Sequence, residues 1–280
     1  MSGVRVVTDS SCDLPDDIVT ELGIDVVPLT IRFGEQEFVD RRDLTPKEFW
    51  ARSAASPMLP ETAAPAPGAF EEAYRRAAAE GADSVVAVCL SSKLSATIQS
   101  AQLGAKALEN DLRIDVIDSL SVTMGLGQMV VDAARMARDG KPADAVGERV
   151  RDLVERTKVY GALDTLENLK KGGRVGGAKA LVGSMLSIKP IIEVRDGQVE
   201  EESKQRTRSR ALQYLLDKVK SQGDIDALAM MHGDAPDADE FLDRLAEFHP
   251  RDDIIVGEIG AVIGAHAGPR VIGIVFQVPR

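Results

Sequence analysis

The segment Ser91-Ser92-Lys93-Leu94-Ser95-Ala96-Thr97 follows the apolar run Val85-Val86-Ala87-Val88-Cys89-Leu90 and precedes Ile98-Gln99-Ser100-Ala101. A hydroxyl-rich loop therefore sits where a buried strand passes into a helix. The free N–H groups of a first turn and its positive dipole end face outward there, and hydroxyls can join them around an anion. An ordinary N-cap needs only one of these hydroxyls and explains the same residues without a ligand. Two other apolar runs end alike: Val4-Arg5-Val6-Val7 at Thr8-Asp9-Ser10-Ser11, and Ile114-Asp115-Val116-Ile117 at Asp118-Ser119-Leu120-Ser121. In an open parallel sheet the carboxyl ends of the strands share one edge, and ligands bind in the crevice outside it. Three loops are thus expected to face one site, to which Asp9, Ser10, Ser91, Ser92, Ser95, Asp118 and Ser119 are the candidate contributors. Many neutral donors and few cations suit a single carboxylate or phosphate better than a polyanion.

Two segments of the second half carry further candidates. Lys170-Lys171-Gly172-Gly173-Arg174-Val175-Gly176-Gly177 concentrates three cations around four glycines. Helix termination at Gly172 accounts for part of it. The glycines also let backbone N–H groups approach an anion, and Arg174 offers a planar fork for phosphate or for a partner's carboxylates. The phosphate-loop pattern Gly-x-x-x-x-Gly-Lys-Ser/Thr is absent. His266 lies in a Gly/Ala-rich segment read as a loop before the last strand, where its imidazole can donate to an anion. His232 reads as the end of a strand and His249, before Pro250, as exposed. The three histidines form no helical ligand pair, and Cys12 and Cys89 lack metal-ligand spacing, so no metal and no cofactor are expected.

The elements that must position these residues follow from periodicity. Strands alternate with amphipathic stretches at 68–80, 95–108, 125–138 and 142–156, the pattern of a three-layer α/β/α unit with a mainly parallel sheet. Pro15-Asp16-Asp17 opens a helix that closes at Gly23, and Thr45-Pro46-Lys47-Glu48 reads as a capping box. The segment 24–30 reads as the second strand, 33–38 as a hairpin tip, and 56–67, rich in Pro and Ala, as a loop. Beyond Val159, Asp196-Gly197 signals a hairpin between strands at 188–194 and 198–204. Further strands at 227–231, 254–259 and 271–278 enclose helices at 208–221 and 237–248, giving a mixed sheet. Glu200-Glu201-Glu202 reads as a solvated strand end. The expected organisation is an N-terminal domain, 1–158, and a C-terminal mixed-sheet domain, 159–280, with a ligand at their interface.

Composition narrows the function classes. A net charge of −11 with three Tyr, seven Phe and one Trp among 280 residues argues against a nucleic-acid surface. No apolar stretch is long enough for a transmembrane segment, and the N-terminus lacks signal-like regions, so a cytoplasmic protein is expected.

Taken together, the quoted segments resemble the DegV family over essentially the whole chain. The resemblance rests on Thr8-Asp9-Ser10, Ser91 through Thr97, Asp118-Ser119, and Leu166-Glu167-Asn168-Leu169-Lys170-Lys171-Gly172-Gly173-Arg174. It continues through Ile188-Lys189-Pro190-Ile191, Lys204-Gln205-Arg206 and Ile259-Gly260 to His266-Ala267-Gly268-Pro269. It implies a two-domain protein that buries one long-chain fatty acid, with hydroxyls at the interdomain crevice holding the carboxylate. Several members serve as acyl carriers for a bacterial fatty-acid kinase, whose separate ATP-binding subunit phosphorylates the bound carboxylate for phospholipid synthesis. The carrier itself is then not an enzyme, and transient contact with a membrane surface is compatible with that route. Carried over by motif, Thr62 and Ser95 bond the carboxylate, His266 orients that network, and Arg174 and Arg206 dock the kinase or contact the phosphoryl group.

This chain departs from the family pattern near the head group. It has Thr62-Ala63-Ala64-Pro65-Ala66 where members usually show Thr-Ser-Gln-Pro-Ser, and Ser95-Ala96-Thr97 where they show Ser-Gly-Thr. Ala96 disfavours a positive φ that Gly would allow. The tail needs little help from the head: about fifteen CH₂ and CH₃ groups at ~0.8 kcal/mol each give a gross drive near ~10 kcal/mol even when partly buried. The stretch Leu181 through Leu186 and Ile188 are candidate tail contacts, with ordinary core as the plainer reading. A serine hydrolase with Ser95 as nucleophile, His266 as base and Asp9 or Asp118 as orienter is the rival enzyme, although Gly-x-Ser-x-Gly is absent. A lipid-sensing regulatory module is the third reading.

Overall fold

The computed structural model describes residues 3–178 and 188–280. Strands β1 (Val4–Asp9), β2 (Asp25–Val27), β6 (Ser84–Cys89) and β7 (Arg113–Asp118) form an all-parallel sheet in the order β2-β1-β6-β7. Every residue of β6 is buried, as a strand covered on both faces requires. Its alternate residues separate the two covering layers. Val85 and Ala87, with Val7 of β1, pack on Phe70 and Tyr74 of α3 (Pro67–Ala79) and on Ala101 of α4 (Thr97–Lys106). Val86 and Val88, with Val6, pack on Met129 and Val130 of α5 (Met124–Arg138) and on Val146 and Val150 of α6 (Ala143–Arg156).

A six-stranded mixed sheet follows, in the order β10-β9-β8-β13-β11-β12. It contains β8 (Thr157–Ala162), β9 (Lys189–Arg195), β10 (Gln198–Gln205), β11 (Ala227–His232), β12 (Ile254–Glu258) and β13 (Ile272–Gln277). Only β11 and β12 run parallel. Asp196 and Gly197 both stand at positive φ, 51° and 79°, as a two-residue hairpin between right-twisted strands demands. Leu228, Met230, Ile274 and Phe276 face α8 (Arg208–Gln222) and α9 (Ala238–Leu245). Their neighbours Ala229, Met231 and Val275 join the cluster containing α5. That helix is buried along nearly its whole length because it lies between the two sheets.

Five expectations are corrected. The segment 24–30 is not one strand: Pro28 lacks an N–H, Leu29 N donates to Ser10 Oγ at 3.0 Å, and the chain leaves β2 for a third sheet. That sheet is antiparallel, with β3 (Thr30–Phe33) between β4 (Gln36–Val39) and β5 (Glu61–Ala63). β5 lies inside the segment read as a loop; three residues are too few for a periodic signal, and pairing of Thr62 with Ile31 makes them a strand. The Gly/Ala segment before the last strand is α10 (Ala261–Ala267), seated on α2 (Pro46–Ala55) so closely that a Cβ on Gly264 would come within 2.7 Å of Phe49. Glu200 to Glu202 lie within β10, half-buried, where Glu202 accepts from the Tyr214 hydroxyl at 2.7 Å and pairs with Lys218. His249 is half-buried rather than exposed.

Candidate functional site

Four polar residues from four parts of the chain meet at one cavity. β5 brings Thr62, the loop after β6 brings Ser95, α10 brings His266, and the turn after α7 (Glu167–Lys171) brings Arg174. Thr62 Oγ1 lies 2.9 Å from His266 Nε2. Ser95 Oγ lies 2.9 Å from Thr97 Oγ1 and accepts from Thr97 N at 3.3 Å, at the start of α4. Arg174 is anchored by Nε to Leu94 O at 3.0 Å and by Nη1 to Gly172 O at 2.7 Å.

The cavity behind them, about 190 Å³, is walled by apolar side chains, including Leu29, Leu90, Val122, Ile192, Val194, Val199 and Val262. A second cavity of about 330 Å³ is lined by polar groups of Glu61, Asn168 and Lys171 and shares Thr62, Arg174 and His266 with the first. These three residues stand between an apolar space and a polar one. An amphiphile matches that division, with its tail inward and its head at the partition. Burial, with the Arg174 guanidinium nearby, pushes the His266 imidazole down to about 4, so the ring is neutral at pH 7. Its Nδ1 has no partner.

The other hydroxyl and acidic candidates are not among the residues lining this cavity. Asp9 is buried, accepting from Leu90 N at 2.8 Å and Ser11 N at 3.0 Å, and its carboxyl is raised to about 6 by burial. Ser10 Oγ is held by Leu29 N. Ser91 Oγ donates to Gly197 O at 2.6 Å, tying the loop after β6 to the β9–β10 hairpin. Asp118 accepts from Ser92 N at 3.2 Å and Leu120 N at 3.0 Å. The Ser119 hydroxyl bonds within its own turn, donating to Ser121 O and accepting from Ser121 N, while its backbone N donates to Cys89 O at 3.1 Å. Three loops do share the sheet edge, but of these the loop after β6 turns Ser95 toward the cavity. Arg206 is exposed just beyond β10 and does not line the cavity.

The residues that sequence reasoning missed are the cavity walls. Ile192 and Val194 share a face of β9 while Ile191 belongs to the cluster on the opposite face, so alternation was the available signal. Ile188 packs against the main core cluster and does not line the cavity, and Leu181 through Leu186 lie outside the described residues. Ala64 and Ala96 both line it. Ala96 stands at φ −80°, so glycine is not required there.

Triad parts are not assembled: His266 Nε2 meets Thr62, its Nδ1 has no acceptor, and Asp9 and Asp118 are bonded elsewhere. Cys12 and Cys89 are free, and burial pushes both thiols up. Among the described residues no group of His, Cys, Asp and Glu is arranged to hold a metal ion, and no helix is long and apolar enough to cross a membrane.

Fold and cavity together define a mixed α/β protein with a parallel and a mixed sheet and an apolar pocket closed by hydroxyls, a neutral imidazole and one arginine. Residues 3–278 match the family described as "Uncharacterised protein, DegV family". A DegV domain-containing protein of Clostridium perfringens is 36% identical over 280 residues, covering 98% of each chain. The fatty acid binding DegV family protein of Thermus thermophilus superposes with a TM-score of 0.91 at 32% identity, over 99% of each chain. A stearic acid-binding protein of Eubacterium ventriosum superposes with a TM-score of 0.86 at 25% identity, over 99% of this chain and 98% of that one. The chain belongs to the DegV family.

Proposed function

We propose that this protein binds one long-chain fatty acid, tail in the apolar cavity and carboxylate at Thr62, Ser95 and His266, and presents it to a separate ATP-dependent fatty-acid kinase. The observation that carries the reading is the Thr62–His266–Arg174 partition between the apolar and polar cavities. The fatty acid binding of structural relatives supports it. A neutral imidazole has one donor and one acceptor nitrogen. If Nε2 carries the proton and donates to Thr62 Oγ1, the Thr62 hydroxyl proton is free for the carboxylate, and Nδ1 is left as the unpartnered acceptor. Ser95 supplies a second hydroxyl, and Arg174 the compensating positive charge. Tail burial provides most of the affinity, leaving the head group to set orientation.

In this reading a carboxylate oxygen attacks the terminal phosphorus of ATP held by the kinase, forming the acyl phosphate and releasing ADP. The polar cavity is the side from which the partner approaches, Arg174 contacts the phosphoryl group, and exposed Arg206 belongs to the docking face. The protein then acts as a cytoplasmic carrier in phospholipid synthesis, with the chemistry in its partner. Denaturing mass spectrometry of purified protein is expected to show one fatty acid per chain. Added kinase and ATP are expected to give an acyl phosphate trappable by hydroxylamine. Empty protein that also fails to bind added fatty acid overturns the reading, and binding without acyl phosphate formation overturns the kinase half.

A further inference from the structure

Asp13 does not line the fatty-acid cavity, yet it holds the helix that carries His266. α10 has seven residues, too few to be stable alone, so its position depends on what grips it. At its start, buried Asp13 Oδ1 accepts from Gly260 N at 3.0 Å across 247 residues of chain. At its end, Asn168 Nδ2 donates to Ala265 O at 3.1 Å, and between them Gly264 lies against Phe49 and Trp50. Asp13 reaches this point by adopting φ +50° at the end of the turn Ser10–Cys12, a conformation Asp tolerates better than most residues. A negative charge at a helix N-terminus is also favourably placed against the dipole.

We propose that Asp13 is a positioning residue for the head-group end of the pocket: by gripping Gly260 it fixes α10, and through α10 sets His266 against Thr62. This rests on the fatty-acid reading above. Burial pushes the Asp13 carboxyl up to about 7, Thr123, Gly260 and Arg41 favour its charged form, and Asp40 opposes it. The titratable and charged groups around it are Asp9 and the buried thiol of Cys12 on its own segment, Asp40 and Arg41 beyond β4, Asp16 paired with Arg41, His232 and Glu258 at the ends of β11 and β12, and His266 along α10. The Gly260 bond is charge-assisted when Asp13 is ionised, and that assistance is lost as pH falls through about 7.

The test is the release rate of cis-parinaric acid and of its methyl ester from the full-length protein between pH 6 and 8.5. Wild-type protein is expected to release the acid several-fold faster at pH 6 than at pH 8, and the ester with a clearly smaller change, carried by Val262 of α10 on the tail wall. Asp13→Asn keeps an acceptor for Gly260 but no charge; it should release the acid at the fast rate at every pH. Asp13→Ala should speed release about tenfold at pH 8. Asp40→Asn should move the step to lower pH, because Asp40 raises the Asp13 carboxyl. A pH step that persists in D13N, or a D13N change shared equally by acid and ester, overturns the proposal. Wild-type protein that binds neither compound overturns the fatty-acid reading as well.

Discussion

Thr62 and His266 are 204 residues apart in the chain, yet Thr62 Oγ1 lies 2.9 Å from His266 Nε2, one residue on a three-residue strand and the other near the end of a seven-residue helix. The apolar cavity ends at this pair and the polar cavity begins there.

Replacing Thr62 by Val keeps the volume and removes the hydroxyl. Affinity for a fatty acid should fall about tenfold while affinity for its methyl ester is unchanged, as titration with both ligands will show. Equal loss for both would place Thr62 in tail packing instead.

Ser95→Ala removes a bond to Thr97 at the margin of α4, a partly solvated site, and should cost at most about 1 kcal/mol in urea unfolding. Its larger effect is expected on carboxylate binding. Unchanged fatty-acid affinity and acyl phosphate formation would remove Ser95 from the head-group site.

Val194→Phe adds volume on the cavity wall, where the extra ring has empty space to occupy. Fatty-acid binding should drop more than tenfold while the ligand-free chain unfolds near the wild-type denaturant concentration. Gly264→Ala, by contrast, places a Cβ 2.7 Å from Phe49 and should destabilise the fold by about 1–3 kcal/mol.

Stability of the ligand-free protein should decline as pH rises from about 4 toward 7. Burial raises Asp9 and Asp40 to about 6 and Asp13 to about 7, so the folded chain keeps protons that the unfolded chain releases near pH 4. Stability from these groups is complete below their unfolded values and is lost through the folded ones. His266, lowered to about 4, acts oppositely between pH 6.5 and 4, but one imidazole is outnumbered by three carboxyls. Thermal unfolding should give a higher Tm at pH 5 than at pH 7.5. D13N should raise the Tm at pH 7.5 and leave it nearly unchanged at pH 5.

Elements with local causes were legible in the sequence. The capping box at Thr45 and Glu48, the positive-φ turn at Asp196-Gly197 and the buried run of β6 each depend on neighbours in the chain. β5 and α10 were not, because three residues carry no period and a Gly/Ala run has no amphipathic stripe. Both exist through pairing with β3 and packing on α2. The site divided along the same line. Family motifs pointed to Thr62, Ser95, His266 and Arg174, which line one cavity, whereas the repeated hydroxyl pattern could not tell Ser95, at the cavity, from Ser91, bonded to Gly197.

The sequence by itself determined the alternation of strands and helices, the parallel and mixed sheets, and the family motifs, since these follow from periodicity, turn chemistry and residue type over short spans. Only the tertiary structure decided which hydroxyls face the cavity, which apolar residues wall it, and that Asp13 grips the helix bearing His266. Those relationships join residues up to 247 positions apart. They depend on how the two sheets close over α5, and local propensity does not encode that closure.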